Sequence, residues 1–285
     1  EKEKTIPGPF GDVVHLDIRH LGKKKIDKKL PFVRELAKNY AGIDPVYEPI
    51  PVRPVVHYMM GGIDTNIDCS TILPGLFAAG ECACVSINGA NRLGSNSLTE
   101  ILVYGARAGQ AAAVFAAEHS EINLEALEKQ GADEYKRITR DFLQKDGGSE
   151  RIATLRKEMH QVMEQSVDIF RSESGLKEAC NKIEELKDRF SSILIEDKSL
   201  NFNTELTSAL ELENMIDVAE SIIFSALSRR ESRGSHQRTD FVNRDDENFL
   251  RHSLAYRTEA ESRIEYQDVV ITKWPPAERI YGKEE

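Results

Sequence analysis

The stretch NGANRLGSNSLTEILVYG, residues 88–105, passes from a loop rich in glycine, asparagine and serine into a run with helical spacing. Within it, Ser97-Leu-Thr-Glu100 has the spacing of a capping box, in which a serine N-cap and a glutamate three residues on each satisfy a backbone N–H of the other. The sequence therefore predicts a helix from Leu98, its N-terminus facing Gly94-Ser-Asn-Ser97. Unpaired N–H groups and a dipole of about half a positive charge make such an end favourable for an anion. Downstream, Gly105, Ala106, Ala108, Gly109, Ala111, Ala112 and Ala113 give this helix a surface small enough to lie close against a sheet. Taken without its surroundings, the loop is an ordinary helix start.

Its neighbours give it a chemical reading. Arg92 lies two residues before Gly94. A guanidinium grips a carboxylate through two parallel hydrogen bonds and stays charged at any relevant pH, so it selects an anionic ligand. Upstream, His57 stands ahead of Met59-Met60-Gly61-Gly62 and can supply a second donor to a carboxylate. A lone histidine at a strand end is more often structural, and the glycine pair can simply turn the chain. Between the two, Gly75-Leu-Phe-Ala-Ala-Gly-Glu81 reads as a short apolar strand ending on glycine and a carboxylate. At the carboxyl end of a strand in an open α/β sheet, glycine admits a ligand to the backbone and an acid accepts ribose hydroxyls. With Thr71 upstream, the string T-x-x-x-x-L-F-A-A-G-E resembles the second FAD fingerprint of two-dinucleotide-binding flavoproteins.

The bulk numbers fit an enzyme-sized chain. Its 285 residues, 40% hydrophobic, can bury a real core, and at roughly 150 residues per domain they suggest about two folding units. With 38 basic and 48 acidic residues the net charge is −10, the wrong sign for a general nucleic-acid or anionic-membrane surface. Cys69, Cys82, Cys84 and Cys180 form no CxxC pair and no zinc spacing, so neither a disulfide framework nor a metal site is expected, and a reducing compartment is. No signal peptide opens the chain. Its most apolar run, Leu98 to Ala117, carries Glu100, Arg107 and Gln110, too polar to span a bilayer, so any membrane link is expected through partners. The opening residues read as a linker entering a strand, Val13 to Ile18, as in a chain opened in its middle.

Residues 1–56 combine that strand, an amphipathic helix near Leu30 to Tyr40 and a proline-rich connector, Pro45 to Pro54, which imposes an extended path. Residues 57–118 read as an α/β nucleotide-binding unit of short strands, the glycine-rich loop and one long helix. Residues 119–240 keep apolar helical spacing, as in Ile183, Leu186, Phe190 and Leu206, Leu210, Ile216, Ala219, Ile223, Leu227, which predicts a bundle of about three long helices. Residues 241–285 alternate over Ser262 to Thr272, a strand pair, and then reach Trp274-Pro-Pro276.

The combination HYMMGG, GLFAAGE, GANRLGSNSL, ESRGSHQR (Glu231 to Arg238) and ITKWPPAERIYG (Ile271 to Gly282) resembles the flavoprotein subunit of fumarate reductase and succinate dehydrogenase. The likeness runs along nearly the whole chain in the family's order. GDVVHLDIRHLG and EPIPVRPVVHY look closer to the bacterial quinol:fumarate reductases. The resemblance implies an α/β FAD-domain portion plus the end of an α+β capping domain, followed by an α-helical bundle domain and a small α+β C-terminal domain. It implies that His57 and Arg92 bind the dicarboxylate, that Glu81 contacts FAD, and that Ser97 and Leu98 sit at the flavin edge. Hydride transfer between flavin N5 and a substrate carbon would interconvert fumarate and succinate. Partners would be an iron–sulfur subunit and, indirectly, membrane anchors exchanging electrons with quinone at the cytoplasmic face of the inner membrane.

Three family features have no match in this sequence: the cap's proton-donating arginine, the N-terminal GxGxxG and the histidine that takes FAD covalently. No catalytic residue is therefore assigned, and the chain alone is expected neither to hold FAD tightly nor to turn over. Cys82-Ala-Cys84 is expected to be two buried thiols, since one intervening residue is poor disulfide geometry. The charged run Ser228 to Arg238 is expected to be a solvated face or salt-bridge network, with His236 and Arg238 structural. The acidic runs Glu184 to Asp188 and Glu211 to Asp217 read as solvated helix faces. Two alternatives stand beside the fumarate reductase reading. L-aspartate oxidase has similar HY-x-x-GG and GANR-x-x-SNSL motifs but is disfavoured by Leu93-Gly94 and the terminal ITKWPPAERIYG. A non-catalytic module that only docks a partner is the other.

Overall fold

In the computed structural model, residues 5–8, 11–53, 55–119, 123–258 and 262–277 are described. The chain forms two compact units, Glu1–His57 and Tyr58–Glu285.

In the first unit, β1 (Ile6–Gly8), β2 (Gly11–Leu16) and β3 (Ile50–Val52) form an antiparallel sheet in the order β1-β2-β3. The strand expected at 13–18 thus sits two residues earlier, and part of the proline-rich connector pairs with it, Val14 opposite Val52. The helix expected at 30–40 is interrupted: α1 (Gly22–Lys29) and α2 (Pro31–Leu36) flank Leu30, and a π-turn follows over Ala37–Ala41. Pro31 takes the first helical position, where its missing N–H costs nothing. α1 escapes sequence periodicity because GKKKIDKK has one apolar side chain, Ile26. That residue is fully buried with Ile18, Ala37 and Ile50.

The second unit begins with a two-stranded parallel pair, β4 (Ile63–Asp64) and β5 (Ala83–Cys84), followed by the 23-residue helix α3 (Asn96–Glu118). Two expectations are corrected here. Residues Gly75 to Glu81 make one isolated bridge, Ser70 to Phe77, and the strand itself falls two residues past the motif. The capping box does not form: α3 begins at Asn96, its N-cap Ser95 takes φ 67° and contributes no side-chain cap. Glu100, freed from that role, is the only buried residue of α3. Nor is Cys82 buried; it is exposed, and Cys84 is half-buried with its thiol pushed up by burial.

Then come α4 (Leu124–Ile138) and a three-helix assembly of α5 (Ile152–Ser166), α6 (Glu173–Phe190) and α7 (Thr204–Ser228). The apolar spacing works as predicted: Leu155, Met159, Leu176, Ile183, Leu186, Leu212, Ile216 and Ile223 share one core. Each such aliphatic side chain contributes about 1.5–3 kcal/mol by leaving water. The acidic runs are solvent-facing, with Glu184, Glu185, Asp188 and Glu211 exposed, and ion pairs lie along the same helices. Lys187 reaches Glu220 at 2.6 Å, Arg137 reaches Glu213 at 3.1 Å, and Arg189 lies 2.7–2.8 Å from Glu150, Glu158 and Glu185. The pair β6 (Phe170–Arg171) and β7 (Gln237–Arg238) is parallel. After α8 (Asp246–Phe249), β8 (Arg251–Tyr256) pairs antiparallel with β9 (Arg263–Asp268); the alternating stretch Ser262 to Thr272 supplies only the second of these strands, and its partner lies before it. Trp274-Pro-Pro276 follows without regular structure, and the AERIYG end lies, from Glu278 onward, outside the described residues.

Candidate functional site

The loop joining β5 to α3 carries Arg92, and a chain of contacts fixes where it sits. The Arg92 guanidinium lies over the Tyr58 ring, 4.4 Å from its centroid, a placement stabilised by the ring's negative face. Tyr58 in turn donates its hydroxyl to Oε2 of Glu100 at 3.0 Å, and Asn88 Nδ2 donates to the same oxygen at 2.8 Å. Glu100 is 3% exposed, so both donors are needed to keep its carboxylate from being stranded in the interior. Burial first, then the hydrogen bond to Glu100, pushes the Tyr58 phenol up to about 12. It therefore stays a donor throughout the physiological range.

The adjoining residue ties in the second predicted position. The Met59 backbone N–H donates to Glu81 Oε1 at 3.2 Å, and Glu81 is exposed. At Gly62, φ is +127° and a Cβ would lie 2.5 Å from the Cys82 carbonyl oxygen. Only glycine allows the HYMMGG segment to press against the residues entering β5. The Ile63 N–H then bonds the Cys82 carbonyl at 2.9 Å.

Of Arg92 itself, Nη1 donates to the neighbouring Leu93 carbonyl at 3.2 Å, whereas Nε is buried with no hydrogen-bond partner among the described residues. A buried donor left unmade costs about 1–3 kcal/mol, so the fork retains capacity for an acceptor. Ser97 and Leu98 lie in the first turn of α3, Ser97 half-buried and Leu98 63% exposed.

Tyr58 and Met59 thus link Arg92, Glu81 and α3 in the second unit. His57, exposed, closes the first unit. Nothing in the sequence alone marks Tyr58, Asn88 or Glu100 as supports of Arg92. The first adjoins His57 in the quoted motif, and the last was masked by its capping-box spacing. An arginine fork stacked on an aromatic ring, an exposed carboxylate after a glycine turn, and a long helix starting beside them suit an anionic ligand next to a nucleotide cofactor.

That class of protein is matched by comparison. The family described as "FAD binding domain" matches residues 1–98, and "Fumarate reductase flavoprotein C-term" matches residues 156–281. The chain belongs to the fumarate reductase flavoprotein family. It is 54% identical to a fumarate reductase flavoprotein subunit of Mycobacterium tuberculosis over 99% of its own length and 49% of that protein. Identity to the Escherichia coli subunit of the same name is 49%, over 99% of this chain and 47% of the relative. A solved structure of an E. coli quinol fumarate reductase FrdA variant superposes with a TM-score of 0.95 at 49% identity, covering 100% of this chain and 49% of the other. The chain spans about half the length of the curated relatives it matches.

Proposed function

We propose that the chain is part of an FAD-dependent flavoprotein that interconverts fumarate and succinate, with Arg92 and His57 binding the dicarboxylate. The observation that most directly supports this is the Arg92 fork, held against Tyr58 with a buried Nε that has no acceptor among the described residues. A substrate carboxylate supplies that acceptor and takes a bidentate pair. Tyr58 keeps its proton and its bond to Glu100, so the face beneath Arg92 does not tilt when substrate charge arrives.

The residues present fit FAD. The exposed Glu81 carboxylate can accept cofactor hydroxyls, and the start of a 23-residue helix at Asn96, with Ser97 and Leu98 in its first turn, offers a positive dipole end to the flavin edge. When bound, FAD supplies hydride transfer at its N5. The chain's own residues orient the dicarboxylate and balance its charge; no residue of this chain is assigned the proton transfer.

In this reading residues 1–56 end a capping domain, 57–118 return to the FAD domain, 119–240 form the helical domain and 241–285 a small C-terminal domain. The working protein acts with an iron–sulfur subunit and, through it, with membrane anchors and quinone, peripheral at the cytoplasmic face of the inner membrane. No helix among the described residues is long and apolar enough to cross a membrane.

The test is Arg92→Gln in a flavin-loaded polypeptide of the relatives' full length, assayed for fumarate-dependent oxidation of reduced viologen. The expected outcome is a loss of kcat/KM of about a hundredfold or more with flavin content unchanged. Activity within about threefold of wild type would remove Arg92 from the dicarboxylate site.

A further inference from the structure

The Arg92 loop is held from far down the chain. Residues 85–95 form neither strand nor helix, so their carbonyls need partners from elsewhere. Two residues before Arg92, the Ala90 carbonyl accepts both the Ser235 N–H at 2.9 Å and the Ser235 hydroxyl at 2.8 Å, across 145 positions of sequence. The contact is tight. Gly234 takes φ +57°, and a Cβ there would lie 2.5 Å from the Ala90 oxygen, 2.6 Å from its carbonyl carbon and 2.8 Å from its Cβ. Near its other end, the loop meets His252, whose Nε2 is 2.7 Å from the Ser86 hydroxyl.

The turn that presents Gly234 and Ser235 is itself rigidly mounted. It is closed by Arg233 N–H to His236 carbonyl at 2.8 Å and the reverse bond at 3.0 Å. Glu231, fully buried, accepts from Arg229, Arg233 and the Asp245 N–H at 2.8–3.0 Å. His236 is wedged between the Arg171 guanidinium at 2.9 Å and the Arg229 carbonyl at 3.0 Å. A platform so fully bonded does not follow the loop; the loop follows the platform.

We propose that Gly234 and Ser235 are positioning residues for Arg92, setting its fork for the dicarboxylate through the backbone of Ala90. This rests on the reading of Arg92 as the carboxylate-binding residue. A side chain at 234 must displace Ala90, because backbone atoms cannot yield as the tip of a flexible side chain can. Displacement of an oriented binding group by about 1 Å costs up to a hundredfold in turnover.

The experiment uses the flavin-loaded complex of the relatives' full length and compares wild type, Arg92→Gln, Gly234→Ala and Ser235→Ala. It reads KM and kcat for fumarate, the Kd of malonate from the flavin absorbance change, flavin content and Tm. Gly234→Ala should raise KM and malonate Kd about tenfold or more while flavin content holds. Ser235→Ala, which keeps the N–H bond, should raise both by roughly two- to fivefold at unchanged Tm. Should Gly234→Ala not fold, Ser235→Ala decides.

If Arg92→Gln abolishes malonate binding but the 234 and 235 variants bind as wild type, the positioning role is overturned and the dicarboxylate reading stands. If the 234 and 235 variants lose only Tm or flavin, at unchanged malonate Kd, the role is structural and the proposal also fails. If wild type itself binds no dicarboxylate, the dicarboxylate reading falls and takes this proposal with it.

Discussion

His236 is 9% exposed and surrounded by cations. Its Nδ1 accepts from Arg171, and its Nε2 therefore carries the proton it gives to the Arg229 carbonyl. Burial first, then the nearby Arg171, Arg229 and Arg238 charges, pushes the imidazole down to about 4, with only the Arg229 carbonyl bond opposing. An unfolded histidine titrates near about 6.5. Between those two values the unfolded chain binds a proton the folded chain refuses, so stability falls as pH drops through that window and is flat above it. The full effect is about 3 kcal/mol at the acid end. Lowering pH from 7 to 5 should lower the urea midpoint of the helical region, and His236→Gln should shrink that drop, leaving a residue from His252, whose imidazole burial also pushes down. An equal drop in wild type and variant would show that His236 is not the titrating group. Beside it, Arg238 is 2% exposed, donates to the carbonyls of Ala226, Leu227 and Arg229 at the end of α7, and holds Asp240 at 2.7 Å. The motif ESRGSHQR announces charge at a helix end. That these charges are buried is not legible from it, because Arg171 lies far away in sequence and the nearby partners, Arg229, Arg233 and Asp240, could pair equally well on a solvated face.

At the scale of elements, the long helices were readable where an apolar stripe repeats and unreadable where tertiary contacts replace local signals. α6 and α7 fall where the spacing puts them. α1 does not announce itself, since its single buried side chain makes no stripe. The start of α3 misleads in another way. Serine and glutamate at capping-box spacing can satisfy each other locally, but Glu100 gains more from Tyr58 and Asn88, two donors in a dry site, than from one N–H near water. α7 shows a cap that does form. Asn203 Oδ1 accepts the Leu206 N–H at 2.7 Å, while Nδ2 donates to the carbonyls of Asp197 at 2.7 Å and Ser199 at 2.9 Å. It therefore caps the helix and closes the preceding loop at once. Asn203→Ala should cost about 2–3 kcal/mol, more than a cap alone. Asn203→Asp, which keeps the acceptor and loses both donors, should fall between. Both are read from urea denaturation; an alanine cost below about 0.5 kcal/mol would show that the loop closes without it.

At the scale of the whole molecule, the helical region has a core that closes on itself and the region around α3 does not. α3 runs for 23 residues with one buried position, and Leu98, Ile101, Leu102, Val103 and Val114 are exposed along it, Leu102 at 74%. Before it in the chain, β4 and β5 form a parallel pair of two residues each, which no further strand joins among the described residues. Parallel sheets occur almost only where both faces are covered, and exposed apolar surface of this extent marks an interface. The relatives are about twice as long. Cofactor affinity follows from the same surfaces. A dinucleotide of this size is held by burying most of its surface in a largely preformed pocket, and the chain as it stands offers one carboxylate, one helix start and an open apolar face. The 285-residue polypeptide, purified alone and desalted, should therefore carry sub-stoichiometric flavin by absorbance. It should show no fumarate-dependent oxidation of reduced viologen, and coexpression with the remaining half of a relative should restore both. Stoichiometric flavin in the isolated chain would mean that these residues build a complete pocket by themselves, and the exposed face of α3 would then need another explanation.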